Sequence, residues 1–201
     1  MGIRIRKKYE FTGKTKVITQ SNESHTLHQI KALKDFRDIK AGYLGGWIEK
    51  EENLSQEGDC WVYSNAMVFG NAKVYGNATL YGKCRVFDSA DVYGDSTVYG
   101  NAWIYGNSNV YDNAKIYGNA QVLDDGWVYG NAEIYEDIRI CGRTSVFANS
   151  VLYGNGWYTR EDRVTWDDRV YDNTQFVANE RLNKYLMEYI DGRFNCKNPP
   201  I

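Results

Sequence analysis

The chain has 201 residues, 43% hydrophobic and 25% charged, with a formal net charge of −2 at pH 7. That length suits one compact unit with a substantial core, and the nearly balanced charge argues against direct binding to nucleic acid. Residues 1–50 carry eleven Lys and Arg against five Asp and Glu, whereas residues 51–201 carry thirteen against twenty-one. An acidic partner and a solvated basic face both remain open for the N-terminal segment.

Residues 1–45 do not repeat, and we expect them to form a β-rich cap. Residues 7–12 and 16–19 alternate like strands, and Gly13 between them predicts a hairpin turn. A further strand or short helix follows over residues 27–33. No signal peptide and no apolar run of membrane-spanning length is visible, so we expect a cytoplasmic protein without a membrane partner.

The chain then repeats every six residues. A large apolar anchor falls at Val62 and at every sixth position up to Phe176, which makes twenty windows. A small residue such as Ala66 stands two positions before most anchors, although Asp162 and Asp168 take that place near the end, and residues two apart on a strand share a face. An aromatic residue, then Gly or Asp, then Asn usually follow the anchor, and these types favour turns. Ile48 and Leu54 indicate one or two earlier windows, separated from Val62 by a two-residue insertion near residues 56–57.

This pattern resembles the hexapeptide repeat of the left-handed parallel β-helix family, and the resemblance covers about sixty per cent of the chain. It implies an all-β fold of about seven triangular coils, with three windows in each coil. The left-handed winding comes from the resemblance, because ordinary parallel crossovers are right-handed. We therefore expect a cap over residues 1–45, a β-helix over 46–177, and an amphipathic helix with a tail over 178–201.

With three windows in each coil, anchors that are eighteen residues apart lie one above another. The anchors therefore fall into three walls. We name them the first, second and third walls, and their anchors begin at Val62, Val68 and Val74. Each first-wall anchor is followed by a tyrosine, and these side chains are predicted to stack along one edge: Tyr63, Tyr81, Tyr99, Tyr117, Tyr135, Tyr153 and Tyr171. Such a ladder either shields the corner backbone or forms a binding edge.

Many members of the β-helix family are acyltransferases that use an acyl-CoA, a histidine general base near a trimer interface, and a loop that projects from one coil. Here the two histidines, His25 and His28, precede the repeat, and no insertion interrupts residues 62–176. The sequence therefore predicts no catalytic residue and no cofactor, and two histidines without a third ligand do not predict a metal site. Cys60 and Cys84 are expected to be buried thiols, and Cys141 is expected to face outward.

The residue before each anchor is predicted to face solvent in the middle of a wall. On the second wall these positions mix Trp and Arg, which are enriched at binding hot spots. We therefore predict an interface formed by Met67, Arg85, Trp103, Gln121, Arg139 and Trp157. It would serve self-association into a trimer or dimer, or bind a foreign protein; isolated exposed aromatics are the alternative.

The N-terminal block adds a second resemblance. Residues 8–13, 25–30 and 41–49 resemble the opening of small hexapeptide-repeat proteins encoded in bacteriophages and prophages, some of them labelled transferases on the repeat alone. This resemblance implies action in the host cytoplasm. Our leading hypothesis is a non-catalytic scaffold that binds and antagonises a host defence factor. The alternatives are an acyl-CoA-dependent acyltransferase and an oligomer that captures a small nucleotide between subunits.

Overall fold

The structure is a computed structural model that describes residues 7–158, together with the backbone of residues 163–164 and 169–172. Short strands stack in parallel into three sheets, one for each predicted wall. Neighbouring strands of a sheet are one coil apart, as where Trp103 pairs with both Arg85 and Gln121. The expected all-β fold is confirmed as a parallel β-solenoid. Within the described residues the helical structure is limited to a 3-10 turn at Glu51–Asn53.

Each wall is a ladder of very short strands. The first wall contains Trp61–Val62, Thr79–Leu80, Thr97–Val98, Lys115–Ile116, Glu133–Ile134, Val151–Gly154 and Arg169–Asp172. The second wall contains Met67–Val68, Arg85–Val86, Trp103–Ile104, Gln121–Val122, Arg139–Ile140 and Trp157–Tyr158. The third wall contains Lys73–Val74, Asp91–Val92, Asn109–Val110, Trp127–Val128, Ser145–Val146 and Arg163–Val164.

The core is the column of anchors and small residues predicted from the repeat. Leu80 and Ile104 have no exposed surface, and neither have Ala78 and Ala102, the small residues two positions before them. Alternation of large and small inward side chains lets successive coils lie one strand spacing apart without leaving voids. Burial of this continuous apolar interior stabilises the solenoid.

The corners depend on residues that accept a left-handed backbone. Gly106 has φ +71°, and a Cβ atom there would lie 2.6 Å from the backbone nitrogen of Asp124 in the next coil. Asparagine side chains at equivalent corner positions form hydrogen bonds from one coil to the next: Asn101 Nδ2 donates to Asn119 Oδ1 at 3.1 Å. Stacked tyrosines cover the corner after the first wall, with ring centroids 4.4 Å apart for Tyr63 and Tyr81.

The two early windows and the insertion are present. Ile48 pairs with Val68 on the second wall, and Leu54 forms a bridge with Val74 on the third. Within each pair, the two residues are separated in sequence by two residues more than one regular coil, because the chain between Leu54 and Cys60 contains the insertion. The insertion thus lies before the first regular coil, where the N-terminal residues contact it.

Lys8 attaches the N-terminal segment to this insertion. Its Nζ is buried and donates to the carbonyl oxygens of Glu57 and Gly58, each at 3.2 Å, and of Cys60 at 3.0 Å. Burial lowers the pKa of Lys8. The Oε1 of Gln56 accepts the backbone N–H of Lys8 at 2.7 Å. Carbonyl oxygens thereby replace the water that an ammonium group loses on burial.

The residues before the solenoid form a long antiparallel hairpin of β1 (Tyr9–Gln20) and β2 (Glu23–Ala32). It continues the second-wall sheet through β3 (Leu44–Ile48), which pairs antiparallel with β2 and parallel with the first regular coil. The predicted turn at Gly13 is wrong: Gly13, with φ +87°, lies within β1 where the register shifts, and Ser21 and Asn22 make the turn. A bulge bends a strand and increases its twist, so the chain alternates on both sides of Gly13 without reversing there.

Parts of this N-terminal region do cover the end of the solenoid. The rings of Tyr9 and Phe36 contact Trp61 edge-on, with centroids 6.2 and 5.4 Å away, and Trp61 is fully buried. The predicted C-terminal helix over residues 178–201 lies outside the described residues. Within the described part of the chain, no helix is long and apolar enough to span a bilayer.

Candidate functional site

The six residues predicted as an interface form one continuous column on the second wall. Register pairs run from Met67 to Arg85, on to Trp103 and Gln121, and then to Arg139 and Trp157. The structure also adds Trp47 at the top of the column, because Trp47 pairs with Met67. Sequence reasoning missed Trp47, although Ile48 beside it was identified as an early anchor.

The hairpin lies against the upper half of this column. Lys16, Ile18 and Gln20 alternate along one face of β1, and their side chains are less exposed than those of Val17 and Thr19 between them. Lys16 Nζ lies over the indole of Trp47 at 4.5 Å, and Arg85 Nη1 donates to Gln20 Oε1 at 2.9 Å. The N-terminal segment is therefore a flank of the second wall as well as a cap.

Met67 was predicted to face solvent, and that part of the prediction is wrong. Met67 is 7% exposed and belongs to an apolar cluster with Leu27 of the hairpin and with Phe69. The hairpin removes it from any surface that a partner protein could contact. The lower members of the column, from Trp103 to Trp157, are half-buried.

Cations lie over indole rings along the column. The Arg85 guanidinium lies 5.0 Å from the ring centroid of Trp103, and that of Arg139 lies 4.6 Å from the centroid of Trp157. Such contacts hold each guanidinium near the wall surface without neutralising its charge. Burial lowers the pKa of Arg85.

His25 lies at the hairpin–wall junction, next to a carboxylate. Its Nδ1 is 3.0 Å from Glu49 Oε1, and its ring lies 4.8 Å from that of Phe69. Glu49 Oε2 accepts the backbone N–H of Gly70 at 2.7 Å, so the carboxylate is itself fixed. A carboxylate that accepts Nδ1–H leaves the lone pair of Nε2 available as a proton acceptor.

The second histidine does not join this pair. His28 stacks on Phe11, with centroids 4.7 Å apart, whereas His25 faces Phe69. The described residues contain no group of three His, Cys, Asp or Glu side chains that could hold a metal ion.

The corner that follows the second wall is apolar and covered. Its column reads Phe69, Phe87, Tyr105, Leu123 and Cys141, and each of these side chains is buried. The expectation that Cys141 faces outward is therefore wrong. A signal was present: the other two corners carry mostly tyrosine, whereas this one carries Phe, Leu and Cys, which indicates that other groups cover it.

The arrangement can perform two kinds of chemistry. The His25–Glu49 pair can accept a proton from a bound amine or hydroxyl. Lys16 and Arg85 can hold an anion, because their nearest partners are an amide and two indoles. Both features lie between the inner face of the hairpin and the second wall.

No family model matches the chain. One similar protein from Escherichia coli strain K12 bears the name "Uncharacterized acetyltransferase YdcK" and is 57% identical over 37 residues. This segment is 18% of the present chain and 11% of the relative, so the chain spans a small part of the curated protein that it matches. The fold and this local similarity together describe a hexapeptide-repeat β-solenoid with a short segment that resembles an acetyltransferase-like protein.

Proposed function

We propose that this protein transfers an acyl group from a CoA thioester to an amine or hydroxyl, with His25 as the general base. The observation that supports the proposal is the contact of His25 Nδ1 with Glu49 Oε1 at 3.0 Å, on an element that lies against a solenoid wall. The sequence argued against catalysis because the repeat has neither a histidine nor a projecting loop. In the structure the hairpin, which lies outside the coils, supplies a histidine.

In the proposed reaction His25 Nε2 takes the proton of the attacking amine or hydroxyl. The nucleophile adds to the thioester carbonyl carbon, the carbon–sulfur bond breaks, and the proton passes to the departing thiolate. Glu49 keeps the imidazole in the tautomer that accepts at Nε2. The printed name of the Escherichia coli relative supports the choice of an acetyl donor as the first substrate to test.

The test is steady-state release of CoA thiol from acetyl-CoA with a panel of amine and hydroxyl acceptors. His25→Gln should lower the rate about 10²- to 10⁴-fold, the range for loss of a general base. His28→Gln is the matched control, since His28 stacks on Phe11 away from the pair, and it should retain wild-type turnover. Equal turnover in wild type and His25→Gln, or no turnover with any acceptor, would refute the proposal.

A second candidate is a binding scaffold that uses the lower half of the second-wall column. The half-buried Trp103, Gln121, Arg139 and Trp157 support it, because Trp and Arg dominate the energetics of protein interfaces. A second copy of the chain is the first partner to test. Antagonism of a host defence factor rests on the phage resemblance alone and stays a prediction.

A further inference from the structure

Two positive charges at the hairpin–wall junction have no negative partner among the described residues. Lys16 of β1 and Arg85 of the second wall are both half-buried. Among the described side chains, the ion pairs involve Lys7, His25, Lys31 and Lys40, and neither Lys16 nor Arg85 takes part in one. Half-buried cations in proteins are usually paired, because burial of an unpaired charge is unfavourable.

Neutral groups hold both cations in place. Lys16 Nζ lies 4.5 Å from the ring centroid of Trp47, and the Arg85 guanidinium lies 5.0 Å from that of Trp103. Arg85 Nη1 also donates to Gln20 Oε1 at 2.9 Å. These contacts orient the two charges and cover the indole faces, yet they leave the net charge of +2 in place.

Both charges lie against the same face of β1, because Lys16 and Gln20 share that face and Gln20 accepts a hydrogen bond from Arg85. Burial is the larger cause of the lowered pKa of Lys16, and the positive charge of Arg85 is the second. The carboxylate of Glu49 contacts His25 and the N–H of Gly70, and it forms no ion pair with Lys16 or Arg85. A bound anion would remove the repulsion, and the site would then be stabilised by its ligand.

We propose that Lys16 and Arg85 bind the phosphate of a small phosphorylated molecule between the hairpin and the second wall. Two cations match a phosphate monoester, which carries nearly two negative charges at neutral pH, better than they match a single carboxylate. The guanidinium offers a planar pair of donors and the ammonium a compact charge, a combination suited to phosphate oxygens. Because the cations already cover the indole faces, the phosphate itself is the recognised group. This inference does not depend on the proposed acyl transfer.

Calorimetry on the full chain tests the inference with three probes: inorganic phosphate, adenosine monophosphate and coenzyme A. Wild type should bind at least one of them at one site per chain, more tightly than acetate, with an affinity that falls as salt rises. Lys16→Met and Arg85→Met should each weaken binding about tenfold or more, which corresponds to loss of one charged hydrogen bond. Lys115→Met is the matched control, since Lys115 is an exposed lysine on the first wall. It should bind like wild type.

Binding of inorganic phosphate alone would identify a free-phosphate site, and tighter binding of a nucleotide would identify a phosphorylated ligand. His25→Gln should bind phosphate like wild type, which separates this inference from the acyl-transfer proposal. Absence of binding by all three probes at millimolar concentration would overturn the inference. Equal affinities of Lys16→Met, Arg85→Met and wild type would also overturn it, as would acetate binding as tightly as phosphate.

Thermal melting gives a second readout that does not require the ligand to be identified. Lys16→Met removes the repulsion from Arg85, so without phosphate its melting temperature should equal or exceed that of wild type. Phosphate should then raise the melting temperature of wild type and leave that of Lys16→Met unchanged. If Lys16→Met melts below wild type and phosphate shifts both equally, Lys16 serves only to cover Trp47 and the inference fails.

Discussion

Nδ1 of His25 lies 3.0 Å from Oε1 of Glu49, and this contact joins the hairpin to the start of the solenoid. The other oxygen of the same carboxylate accepts the N–H of Gly70 at the first corner of the second wall. The two side chains are only 14% and 26% exposed. The Glu49 carboxylate therefore links His25 of the hairpin to the corner at Gly70.

The first prediction concerns this carboxylate. Glu49→Ala should lower the free energy of unfolding by about 1–3 kcal/mol, because it leaves a partly buried N–H and an imidazole without their acceptor. Glu51→Ala is the control, since its ion pair with Lys7 has side chains 49% and 53% exposed and should contribute less than about 1 kcal/mol. Urea denaturation measures both, and equal losses would contradict the structural importance of the Glu49 contact.

The second prediction concerns the corner at Gly106. An alanine Cβ there would lie 2.6 Å from the backbone nitrogen of Asp124, which is fixed in the next coil. Gly106→Ala should therefore destabilise the protein by about 1–3 kcal/mol, from left-handed strain together with the clash. Gly13→Ala is the control, because Gly13 also has a positive φ but a Cβ atom there would have open space around it. This variant therefore measures the backbone strain without the clash. Similar denaturation midpoints for the two variants would show that the coils can move apart at this corner.

The third prediction concerns pH. Burial raises the pKa of Asp91 on the third wall, and Lys73 opposes part of that shift. The ionised carboxylate is therefore less favourable in the folded state than in the unfolded state, and the penalty exists only where the unfolded carboxyl ionises, above about pH 4. Asp91→Asn should be slightly more stable than wild type at pH 7, and this gain should shrink to nothing as the pH falls below about 4. Urea midpoints at pH 7 and pH 3 measure it; a gain that persists at pH 3 would rule out this cause.

The fourth prediction concerns assembly. If the lower second wall joins copies of the chain, Trp103→Glu should reduce the mass in solution to that of one 23.1 kDa chain. Trp127→Glu on the third wall, where the indole is 45% exposed, should leave the mass unchanged. Light scattering after size-exclusion chromatography gives the mass, and circular dichroism checks that both variants fold. An unchanged mass for Trp103→Glu would place the interface elsewhere.

The solenoid was predictable because its period is local. Anchors such as Ile104 and small residues such as Ala102 recur without a shift in register, so alternation on each strand determines which side chains point inward. The two-residue insertion before Cys60 was visible for the same reason. Each six-residue window therefore contains the residues that predict its own strand and corner.

The site was less predictable, because the hairpin packs on the wall through contacts that are distant in sequence. Arg85 and Gln20 are 65 residues apart, and no spacing rule links them. The loss of tyrosine at Phe69 and Phe87 indicated a covered corner, but it did not identify the covering element. The turn at Gly13 was mispredicted because a glycine at a bulge and a glycine in a turn look alike in sequence.

The position of the hairpin along the second wall is tested most directly by peroxide oxidation of Met67, followed by peptide mass spectrometry. A thioether that is 7% exposed should oxidise far more slowly than a free methionine derivative in the same solution. We predict that Met67 stays reduced while the free derivative is fully converted to the sulfoxide. Oxidation of Met67 at the rate of the free derivative would show that the wall is open there and that the hairpin lies elsewhere.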